Sequence, residues 1–525
     1  MNGVHKLFIN ERYNLGMKNY FSNIICFLLI FSLGCHAEKI LNRGNGSEPD
    51  SLNIHQAEGL NSHNILRDLY EGLMTLDAKG QPIYGVAESH KVENNVWTFK
   101  LRQNSKWSDG KPVVAGDFVR AWQKAIAPET AAPYSFLLKN IRHGEETLQQ
   151  KLTPDNLVVK AIDDFTLEIR LWQADSAFLE KLTLPVFYPL PEQQNTTRNI
   201  ISNGAYRLSE WNIQEKIVLE KNPHYYDKDS VYFDKVVYWV TEDQSSELKR
   251  FRAGELDITE AIPDNQIDWI RQNLPNELRI TPYLGSFFLG LNTKDKYLQN
   301  SDLRKALSLA INREILVEKV LKTGQQAAYR IIPQNLSGIP TEDRTNYAER
   351  VEQAKLLFEK TGFNKHECEI ELLYNSSENQ RKVAIAIAAM WRQTLGIQTK
   401  LVNQEWKVFV NSRKSGDRQT FRSGWIADYA DALNFLELFT SDSHFNFYKY
   451  SNENFDTIIE QIKNTDNLSM KQQLTENAEN ILLHDLPVIP LYYYVSRHLV
   501  NTKIAGFEDN VADRHLSKYL HEKED

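Results

Sequence analysis

The chain of 525 residues is 42% hydrophobic and 25% charged, a balance that folded proteins share. Its formal net charge of −8 argues against a surface for nucleic acid or anionic lipid, because both need a basic face. The length suits two to four domains.

An export signal is predicted at the start of the chain. Residues 24–34 (IICFLLIFSLG) are apolar and follow Lys18. This run has the length of a signal-peptide core and is too short to span a bilayer comfortably. The signal is complete from Met17, so that methionine is a candidate start. We predict a signal peptide over residues 1–37.

The cleavage position decides whether the exported protein carries a lipid. SLGC ending at Cys35 resembles a lipoprotein box, with Ser32 where leucine is usual, whereas CHA before Glu38 suits ordinary cleavage. We expect the unanchored form, and a lipid on Cys35 is the alternative. Cleavage after Ala37 leaves Cys368 as the one cysteine, which excludes an intrachain disulfide.

Three strands are predicted in the first half of the chain. Apolar and polar residues alternate over residues 96–103 (VWTFKLRQ) and, after a turn, over residues 203–211 (NGAYRLSEW). Residues 216–227 (KIVLEKNPHYYD) begin as a strand and run into an Asn-Pro turn.

Helices and strands alternate in the second half. Apolar residues at i, i+3 and i+4 spacing predict a helix over residues 303–311 that Asp302 caps. A second helix, RKVAIAIAAMWRQTLG, ends at Gly396 and passes into the strand pattern IQTKLVNQEW, a step typical of α/β proteins. Residues 488–495 (VIPLYYYV) predict a buried strand. The fold class is therefore α/β, with mixed sheets in more than one lobe.

Familiar catalytic motifs are absent from the sequence. It has no phosphate-binding loop, dinucleotide fingerprint, HExxH or GxSxG motif, and no cysteine cluster for zinc. Two carboxylate pairs, Glu255 with Asp257 and Asp428 with Asp431, have the composition of a glycosidase site. Such pairs are common among 69 acidic residues and carry little weight. We predict a binding protein without cofactor or metal rather than an enzyme.

Residues 421–431 (FRSGWIADYAD) place charged and aromatic side chains around a glycine. Arg422 and Asp428 are hard to bury without partners, whereas Trp425 prefers at least partial burial. Gly424 would let a ligand main chain approach closely. The segment is predicted to be either a folded polar cluster or the wall of a ligand cleft.

The order of several motifs resembles that of the periplasmic oligopeptide-binding proteins, the solute receptors of peptide-import ABC transporters. Residues 45–73 resemble the family's opening segment, and residues 97–122 (WTFKLRQNSKWSDGKPVVAGDFVRAW) are highly specific to it. NGAYRL, LEKNPHYYD, LLYNSSE, NQEWKVF and RSGWIADY follow in the family's order. The resemblance covers nearly all of the mature chain. It implies a monomeric periplasmic receptor that passes short peptides to an inner-membrane permease.

The resemblance also implies an architecture, that of a periplasmic binding protein with three lobes and a hinged ligand cleft. Lobe I would combine residues 38–70, 191–284 and 495–525. Lobe II would be residues 71–190, and lobe III residues 285–494. The peptide would lie between lobes I and III, which close on it.

A receptor for many peptides must recognise what they share, which is the main chain, the α-ammonium group and the carboxylate. Asp428 matches the family aspartate that pairs with the ammonium group, and a local turn cap is its alternative role. Gly424 and Trp425 would offer main-chain pairing groups. Asp431 has no such match and is expected to be a capping or surface residue.

Further residues match positions that line the family's cleft. Glu58 would lie near an early ligand side chain, with a solvated loop carboxylate as the alternative. Arg413 and Arg422 match a pair of arginines near the ligand, although Arg422 would equally suit a structural salt bridge. The remaining matches are aromatic, and for each a core position is the alternative: Tyr134, Trp406 and Tyr494.

Two departures from the family pattern concern the ligand carboxylate and a disulfide. Leu321, next to Lys322, and Gln380 stand where some members use a lysine and a histidine to meet ligand carboxylates. Ligand length therefore stays open. Gly285 and Ile426 stand where enterobacterial relatives carry a cysteine pair.

The leading hypothesis is a peptide receptor, and two others compete with it. The second hypothesis is a receptor of the same broad superfamily for another solute, namely murein peptide, nickel chelate or haem. Murein peptide is included because a receptor for murein tripeptide shares most of the sequence pattern. The third hypothesis, from a different class, is a secreted glycosidase or peptidase.

Overall fold

A computed structural model describes residues 38–175, 177–193, 200–339, 346–364, 369–465 and 467–524. The predicted signal peptide, Cys35 and Cys368 lie outside these residues. Within them, no helix is both long enough and apolar enough to cross a membrane. Contacts group Ile40–Asp525 into a single unit.

The described residues form eighteen strands. In chain order these are β1 (Ile40–Gly44), β2 (Met74–Leu76), β3 (Pro82–Tyr84), β4 (Ala87–Glu93), β5 (Val96–Leu101), β6 (Val159–Asp163), β7 (Thr166–Arg170), β8 (Tyr206–Asn212), β9 (Lys216–Lys221), β10 (Lys235–Trp239), β11 (Leu278–Leu291), β12 (Gln326–Ala327), β13 (Glu369–Asn375), β14 (Gln398–Gln404), β15 (Thr420–Ile426), β16 (Val488–Leu499), β17 (Ile504–Ala505) and β18 (His521–Glu522).

Helices separate many of these strands. The α-helices of the described residues are Leu60–Leu69, Ala115–Ile126, Gly144–Leu148, Phe178–Lys181, Gln244–Arg252, Ile267–Asn273, Ser301–Leu309, Arg313–Ile315, Gln334–Ser337, Tyr347–Lys360, Glu378–Leu395, Trp406–Lys414, Leu433–Leu436, Glu453–Lys463 and Leu468–Asp485. A π-helical turn covers Leu316–Leu321. Short 3-10 helices lie at Pro128–Thr130, Ser135–Leu138, Pro154–Asn156, Pro185–Phe187, Lys228–Ser230, Asp264–Gln266, Glu437–Phe439 and Ser517–Tyr519.

Three larger sheets organise the fold. A four-stranded sheet has the order β1-β10-β9-β8, and a second has the order β4-β5-β7-β6. The third has six strands in the order β12-β16-β11-β15-β13-β14. It is mixed, because β13 is parallel to β14 and β15 whereas β11 is antiparallel to β15 and β16. The predicted α/β class with mixed sheets is confirmed.

The predicted strands form where the residue patterns indicate them. β5, β8 and β9 occupy the three segments predicted in the first half, and β14 and β16 occupy those in the second half. The helix Glu378–Leu395 ends as predicted at Gly396, whose φ of 75° is the left-handed conformation that favours glycine.

The predicted cap of the helix Ser301–Leu309 is wrong. The side chain of Asn300, not Asp302, accepts hydrogen bonds from the main-chain N–H groups of Asp302 and Leu303. Asp302 lies inside the first turn, where a carboxylate interacts favourably with the positive end of the helix dipole. The helix therefore begins at Ser301, two residues earlier than a cap at Asp302 would require.

The side chains of the six-stranded sheet alternate between two apolar clusters. Phe287 and Leu289 of β11 pack with Trp391 on one face. Phe288 packs with Phe435 on the other. Alternation of this kind follows from the two-residue repeat of a strand, and it sends neighbouring residues of β15 to opposite faces.

Two paired strands cross the predicted boundaries of lobes I and III. β11 runs past residue 284 and β16 past residue 494, and the two are antiparallel neighbours. Their register shifts between Pro282 and Ser286. Apart from these strands, each larger sheet lies within one predicted lobe. The division into lobes remains a prediction.

Candidate functional site

The candidate site is built around β15 and the loop that follows it. β15 pairs with β11 from Thr420, opposite Leu291, to Ile426, opposite Gly285. It pairs with β13 only at Thr420 and Phe421. Among the described residues, no strand covers the outer edge of β15 beyond Phe421. An extended ligand can therefore pair with this edge.

Hydrogen bonds beyond the two ends of β15 show which main-chain groups face the open edge. The Ala427 N–H donates to the Leu284 carbonyl at 2.7 Å, and the Asn292 N–H donates to the Gln419 carbonyl at 2.9 Å. Antiparallel partners alternate between hydrogen-bonded and non-hydrogen-bonded pairs. Odd-numbered residues of β15 therefore direct their main-chain groups to β11, and even-numbered residues direct theirs outward.

Gly424 and Trp425, the two residues expected to pair with a ligand main chain, direct their main-chain groups to opposite sides of β15. Gly424 has its N–H and C=O on the open edge. Trp425 lies opposite Ser286 in a hydrogen-bonded pair, so its main-chain groups face β11 rather than the open edge. Its indole N–H donates to the side-chain oxygen of Asn434 at 2.8 Å, and its ring packs edge-on against Phe445.

The lack of a side chain at Gly424 has a local reason. A Cβ atom there would lie 2.6 Å from the hydroxyl oxygen of Tyr494 and 2.9 Å from the carbonyl oxygen of Ser286. A Cβ atom at Gly285 would lie 2.7 Å from the Tyr494 ring. The two glycines make room for the half-buried Tyr494 beside β15.

Arg413 and Arg422 lie among aromatic rings. The guanidinium carbon of Arg422 is between 5.5 and 5.8 Å from the ring centres of Phe287, Trp406 and Phe409. That of Arg413 is 5.6 Å from the ring centre of Phe409. Trp406 is 42% exposed, so the core alternative is wrong for this residue.

Neither arginine has an ion pair among the described residues, and the buried Nε atom of each lacks a hydrogen-bond partner there. The alternative of a structural salt bridge for Arg422 therefore finds no support. Burial lowers the pKa of Arg413 to about 10, and the charge of Arg422 contributes to the decrease. Two neighbouring cations without a carboxylate partner are suited to an anionic ligand group.

Asp428 follows β15 in a second polar group. Its N–H donates to the Asn434 side chain at 3.0 Å, and its carbonyl accepts a hydrogen bond from Arg514 at 2.6 Å. Its Oδ2 atom is buried and has no hydrogen-bond partner among the described residues. Burial raises the pKa of Asp428 to about 6, although the charges of Arg514 and Arg67 oppose this change. Such a carboxylate is suited to a cationic ligand group.

The other carboxylates considered from the sequence are engaged elsewhere. Asp431 accepts a hydrogen bond from the Leu433 N–H at 2.8 Å and pairs with Lys471 at 2.7 Å, as expected of a capping residue. Glu255 pairs with Arg250 at 2.9 Å. Asp257 pairs with Lys503, also at 2.9 Å. These partners give the carboxylates structural roles.

Glu58 and Tyr134 border the same region. Glu58 pairs with Lys414 at 3.1 Å, and about a third of each side chain is exposed. The half-buried Tyr134 lies 6.5 Å from Phe445 between ring centres. Burial raises the pKa of Tyr134, and the charges of Asp428 and Glu58 raise it further. Both residues are therefore electrostatically coupled to the site.

Sequence reasoning missed two arginines next to Asp428. Arg67 is buried on the helix Leu60–Leu69, and its Nε atom has no hydrogen-bond partner among the described residues. Its position among the buried residues of an amphipathic helix was a usable signal. Arg514 lies in an irregular segment near the C-terminus, and no sequence pattern marks it.

The structure shows the burial and the partners of the residues that depart from the family pattern. Leu321 is a core residue, and Lys322 pairs with Asp268 at 3.2 Å. Gln380 is half-buried, and its Oε1 atom lacks a hydrogen-bond partner among the described residues. Neither family position therefore supplies a free cation here. Gly285 and Ile426, where relatives carry cysteines, are direct cross-strand partners.

The sequence is similar to known binding proteins over most of its length. It matches the family described as bacterial extracellular solute-binding proteins, family 5 Middle, over residues 81–447. It is 36% identical over 489 residues to the periplasmic oligopeptide-binding protein OppA of Salmonella typhimurium, which covers 90% of each chain. It is 34% identical over 521 residues to the periplasmic murein peptide-binding protein MppA of Escherichia coli, which covers 94% of this chain and 97% of MppA.

Solved structures of such proteins share the fold. Escherichia coli MppA has a TM-score of 0.88 at 33% identity, covering 93% of this chain and 99% of MppA. Haemophilus influenzae OppA in complex with the peptide RPPGFSPFR has a TM-score of 0.87 at 32% identity, with the same coverage. An unliganded open form of MppA, again 33% identical, has a TM-score of 0.69, covering 93% of this chain and 98% of MppA. The arrangement described above therefore differs from that open form.

Proposed function

This chain belongs to the bacterial extracellular solute-binding proteins of family 5, and we propose from its site that it captures short peptides outside the cytoplasm and delivers them to an ABC-type importer. Relatives that it matches at high coverage include periplasmic binding proteins for oligopeptides and for murein peptide. Their names support a binding protein rather than an enzyme, and a membrane permease as its partner is part of the proposal.

One observation carries the proposal, namely that Asp428 and Arg422 offer opposite unpaired charges at the two ends of an open strand edge. A free peptide has an ammonium group at one end, a carboxylate at the other and a main chain that can pair with a strand. The six residue steps from Arg422 to Asp428 span at most roughly 20 Å. An extended peptide of about six residues or fewer therefore fits between them.

Each site residue considered from the sequence takes a role in this proposal. Asp428 binds the ammonium group, Gly424 pairs with the ligand main chain, and Arg422 with Arg413 binds carboxylate. Trp425 supports β15 from the opposite face. The remaining residues line the cleft around ligand side chains: Glu58, Tyr134, Trp406 and Tyr494.

Calorimetric titration with tri- to pentapeptides, after removal of co-purified ligand, tests the proposal. At least one unmodified peptide should bind, and acetylation of its α-amino group should weaken binding by roughly 100-fold or more, because Asp428 would lose its cationic partner. If no unmodified peptide in the series releases or absorbs heat, the peptide receptor is excluded. If acetylation has no effect, the role of Asp428 is excluded.

A peptide with more than one carboxylate, such as murein tripeptide, is the second candidate ligand. The observation that favours it is the presence of two neighbouring arginines without ion pairs, since each can meet one carboxylate. Matched peptides that differ only by glutamate or glutamine distinguish the candidates. A strong preference for glutamate that Arg413→Gln abolishes would support the anionic ligand.

The location and state of the protein complete the proposal. We place the mature protein in the periplasm as a soluble monomer, with a lipid on Cys35 as the alternative. Mass spectrometry of protein purified from cells distinguishes a chain starting at Glu38 from one starting at a lipid-modified Cys35. Light scattering of the same sample gives its oligomeric state.

A further inference from the structure

A second polar cluster includes the two sequence neighbours of Arg514, the residue that donates a hydrogen bond to the Asp428 carbonyl. It contains His498 on β16 and two residues of the C-terminal segment, Asp513 and His515. The Nε2 atoms of the two histidines are 2.9 and 3.0 Å from the same carboxylate oxygen of Asp513. The three donor atoms lie within 4.8 Å of one another. We propose that His498, Asp513 and His515 form a binding site for a divalent transition-metal ion, with Zn²⁺ as the representative ion.

The chemistry and spacing of the donors suit this ion. Zinc binds imidazole nitrogen and carboxylate oxygen at about 2.0–2.2 Å, usually with four ligands, so neighbouring donor atoms of such a site lie roughly 3.3 Å apart. The observed separations of 2.9 and 3.0 Å are those of hydrogen bonds. Small rotations of the side chains convert them to metal-ligand spacing. Three protein ligands leave the fourth position for water.

The surroundings of His498 resemble those of a metal-ligating histidine. Its second ring nitrogen, Nδ1, is 2.8 Å from the main-chain carbonyl of Thr259. A histidine that donates its Nδ1–H to a carbonyl keeps the Nε2 lone pair available for an ion, and the same bond fixes the orientation of the ring. This contact lies on the side of the ring away from Asp513.

His515 is held in place mainly by packing. Its ring stacks on Phe507 with 3.8 Å between ring centres and 17° between the planes. Its Nδ1 atom is buried and has no hydrogen-bond partner among the described residues. Packing therefore orients the ring, and its Nε2 atom faces Asp513. Unlike His498, His515 has no acceptor for an Nδ1–H group among the described residues.

Charges near the cluster act in both directions. The carboxylate of Glu260 acts electrostatically on His498 and can help to balance the positive charge of a divalent ion. The guanidinium group of Arg43 acts on His515 and opposes the binding of a cation there. A proton competes with the metal ion for the Nε2 atom of each histidine, because a protonated Nε2 donates to Asp513 and has no lone pair for the ion. Metal binding should therefore release protons.

A bound ion would join the C-terminal segment to β16 through residues on both. The segment also contains Val511, whose carbonyl accepts a hydrogen bond from the Leu284 N–H at 2.9 Å. Zinc should thus stabilise the packing of this segment and raise the apparent melting temperature of the whole chain. This effect requires no peptide and does not depend on the proposed function.

Calorimetric titration of the metal-free mature protein with zinc chloride tests the site. We expect one ion per chain. His515→Gln and His498→Gln should each weaken zinc binding by at least about 10–100-fold, the loss found when even a partner of a metal ligand is removed. His484→Gln is the matched control, because His484 also lies 3.0 Å from a carboxylate, that of Asp485, but is 80% exposed. The control should bind zinc like the unchanged protein.

Circular dichroism of the metal-free variants checks that they fold. If both histidine variants fail to fold, the visible absorption of the unchanged protein with Co²⁺ decides, because tetrahedral coordination by nitrogen and oxygen gives intense bands. The proposal is overturned if the unchanged protein binds neither ion, or if folded His515→Gln and His498→Gln bind zinc as tightly as the control. The cluster would then be only a protonated ion pair.

Discussion

Asp428 has a buried carboxylate oxygen that no described residue pairs with, and this makes it the residue with the largest expected effect on ligand binding. Breaking a buried ion pair by removing one partner costs about 3–5 kcal/mol. Asp428→Ala should therefore weaken peptide binding by roughly 10²–10³-fold or more, measured by calorimetry. Asp431→Ala is the control, because it removes a partly exposed pair with Lys471. Its effect should stay within about fivefold, and equal losses in both variants would contradict the assignment.

The same carboxylate predicts a pH dependence. Burial raises its pKa from 3.8 to about 6, so it becomes protonated as the pH falls through 6 in the ligand-free protein. Peptide affinity should be nearly constant above about pH 7 and should fall below pH 6 by up to about tenfold per pH unit. Calorimetry between pH 5 and 8 measures this. The Asp428→Asn variant should bind peptide more weakly than the unchanged protein. Its peptide affinity should lack the decrease below pH 6 that protonation of the Asp428 carboxylate causes.

The effect of this group on stability has the opposite direction. Because its folded-state pKa is raised, the carboxyl group contributes stability that is fully present below about pH 4 and is lost as the pH rises through about 6. Asp428→Asn should therefore raise the melting temperature of the ligand-free protein more at pH 7.5 than at pH 4.5. A larger gain at pH 4.5 would contradict the assigned pKa.

Gly424 should not tolerate a side chain, because a Cβ atom would collide with the Tyr494 hydroxyl and the Ser286 carbonyl. Overpacking of this kind costs about 1–3 kcal/mol. Gly424→Ala should lower both the melting temperature and peptide affinity. Gly116→Ala is the control, since a Cβ atom there would have no other atom within 4 Å and alanine favours the helix Ala115–Ile126. The control should be neutral or stabilising.

At the scale of elements, the capping of the helix Ser301–Leu309 is directly testable. Asn300→Ala removes two hydrogen bonds to main-chain N–H groups, and loss of such a cap costs about 0.5–2 kcal/mol. Asp302→Ala removes only a favourable charge in the first turn, worth about 0.3–1 kcal/mol. The apparent melting temperature should fall more for Asn300→Ala. A larger decrease for Asp302→Ala would restore the original assignment of the cap.

The elements show how far the sequence predicts the fold. Patterns with a period of two or 3.6 residues depend on burial of one face, and they correctly predicted β5, β8, β9, β14, β16 and the presence of two helices, Ser301–Leu309 and Glu378–Leu395. The cap was misassigned because Asn300 and Asp302 are both good capping residues and only the structure shows where the helix begins.

The site was only partly predictable for a different physical reason. The role of the Trp425 main chain depends on whether its pairing with Ser286 is hydrogen-bonded, which is a property of register across two distant strands. Arg514 contacts Asp428 across 86 residues of sequence. No local pattern records such a contact. The resemblance to a family indicated individual residues, but not the neighbours that adjust their charge.

At the scale of the whole molecule, Lys414 and Glu58 join predicted lobes III and I by an ion pair at 3.1 Å. Partly exposed pairs contribute about 0–1 kcal/mol, and salt screens them. Lys414→Gln should weaken peptide binding by up to about fivefold at low salt, mainly by faster dissociation, and the difference should shrink at 1 M salt. Stopped-flow measurement of peptide release checks this.

The control for that prediction is an ion pair within one lobe. Lys91 pairs with Glu93 at 2.6 Å, and both side chains are largely exposed. Lys91→Gln should leave peptide release unchanged. If the two lysine variants release peptide at the same rate, the pair between Lys414 and Glu58 does not stabilise closure.

The passage of β11 and β16 between predicted lobes I and III has a mechanical consequence. The strands are bonded to each other on both sides of the register shift between Pro282 and Ser286, so they form one ribbon rather than two separate connections. Bending a ribbon within its own plane stretches one strand against the other, whereas bending across its flat face does not. Relative rotation of the lobes should therefore follow a single axis. A permease that contacts both lobes could then distinguish a loaded receptor from an empty one by one angle.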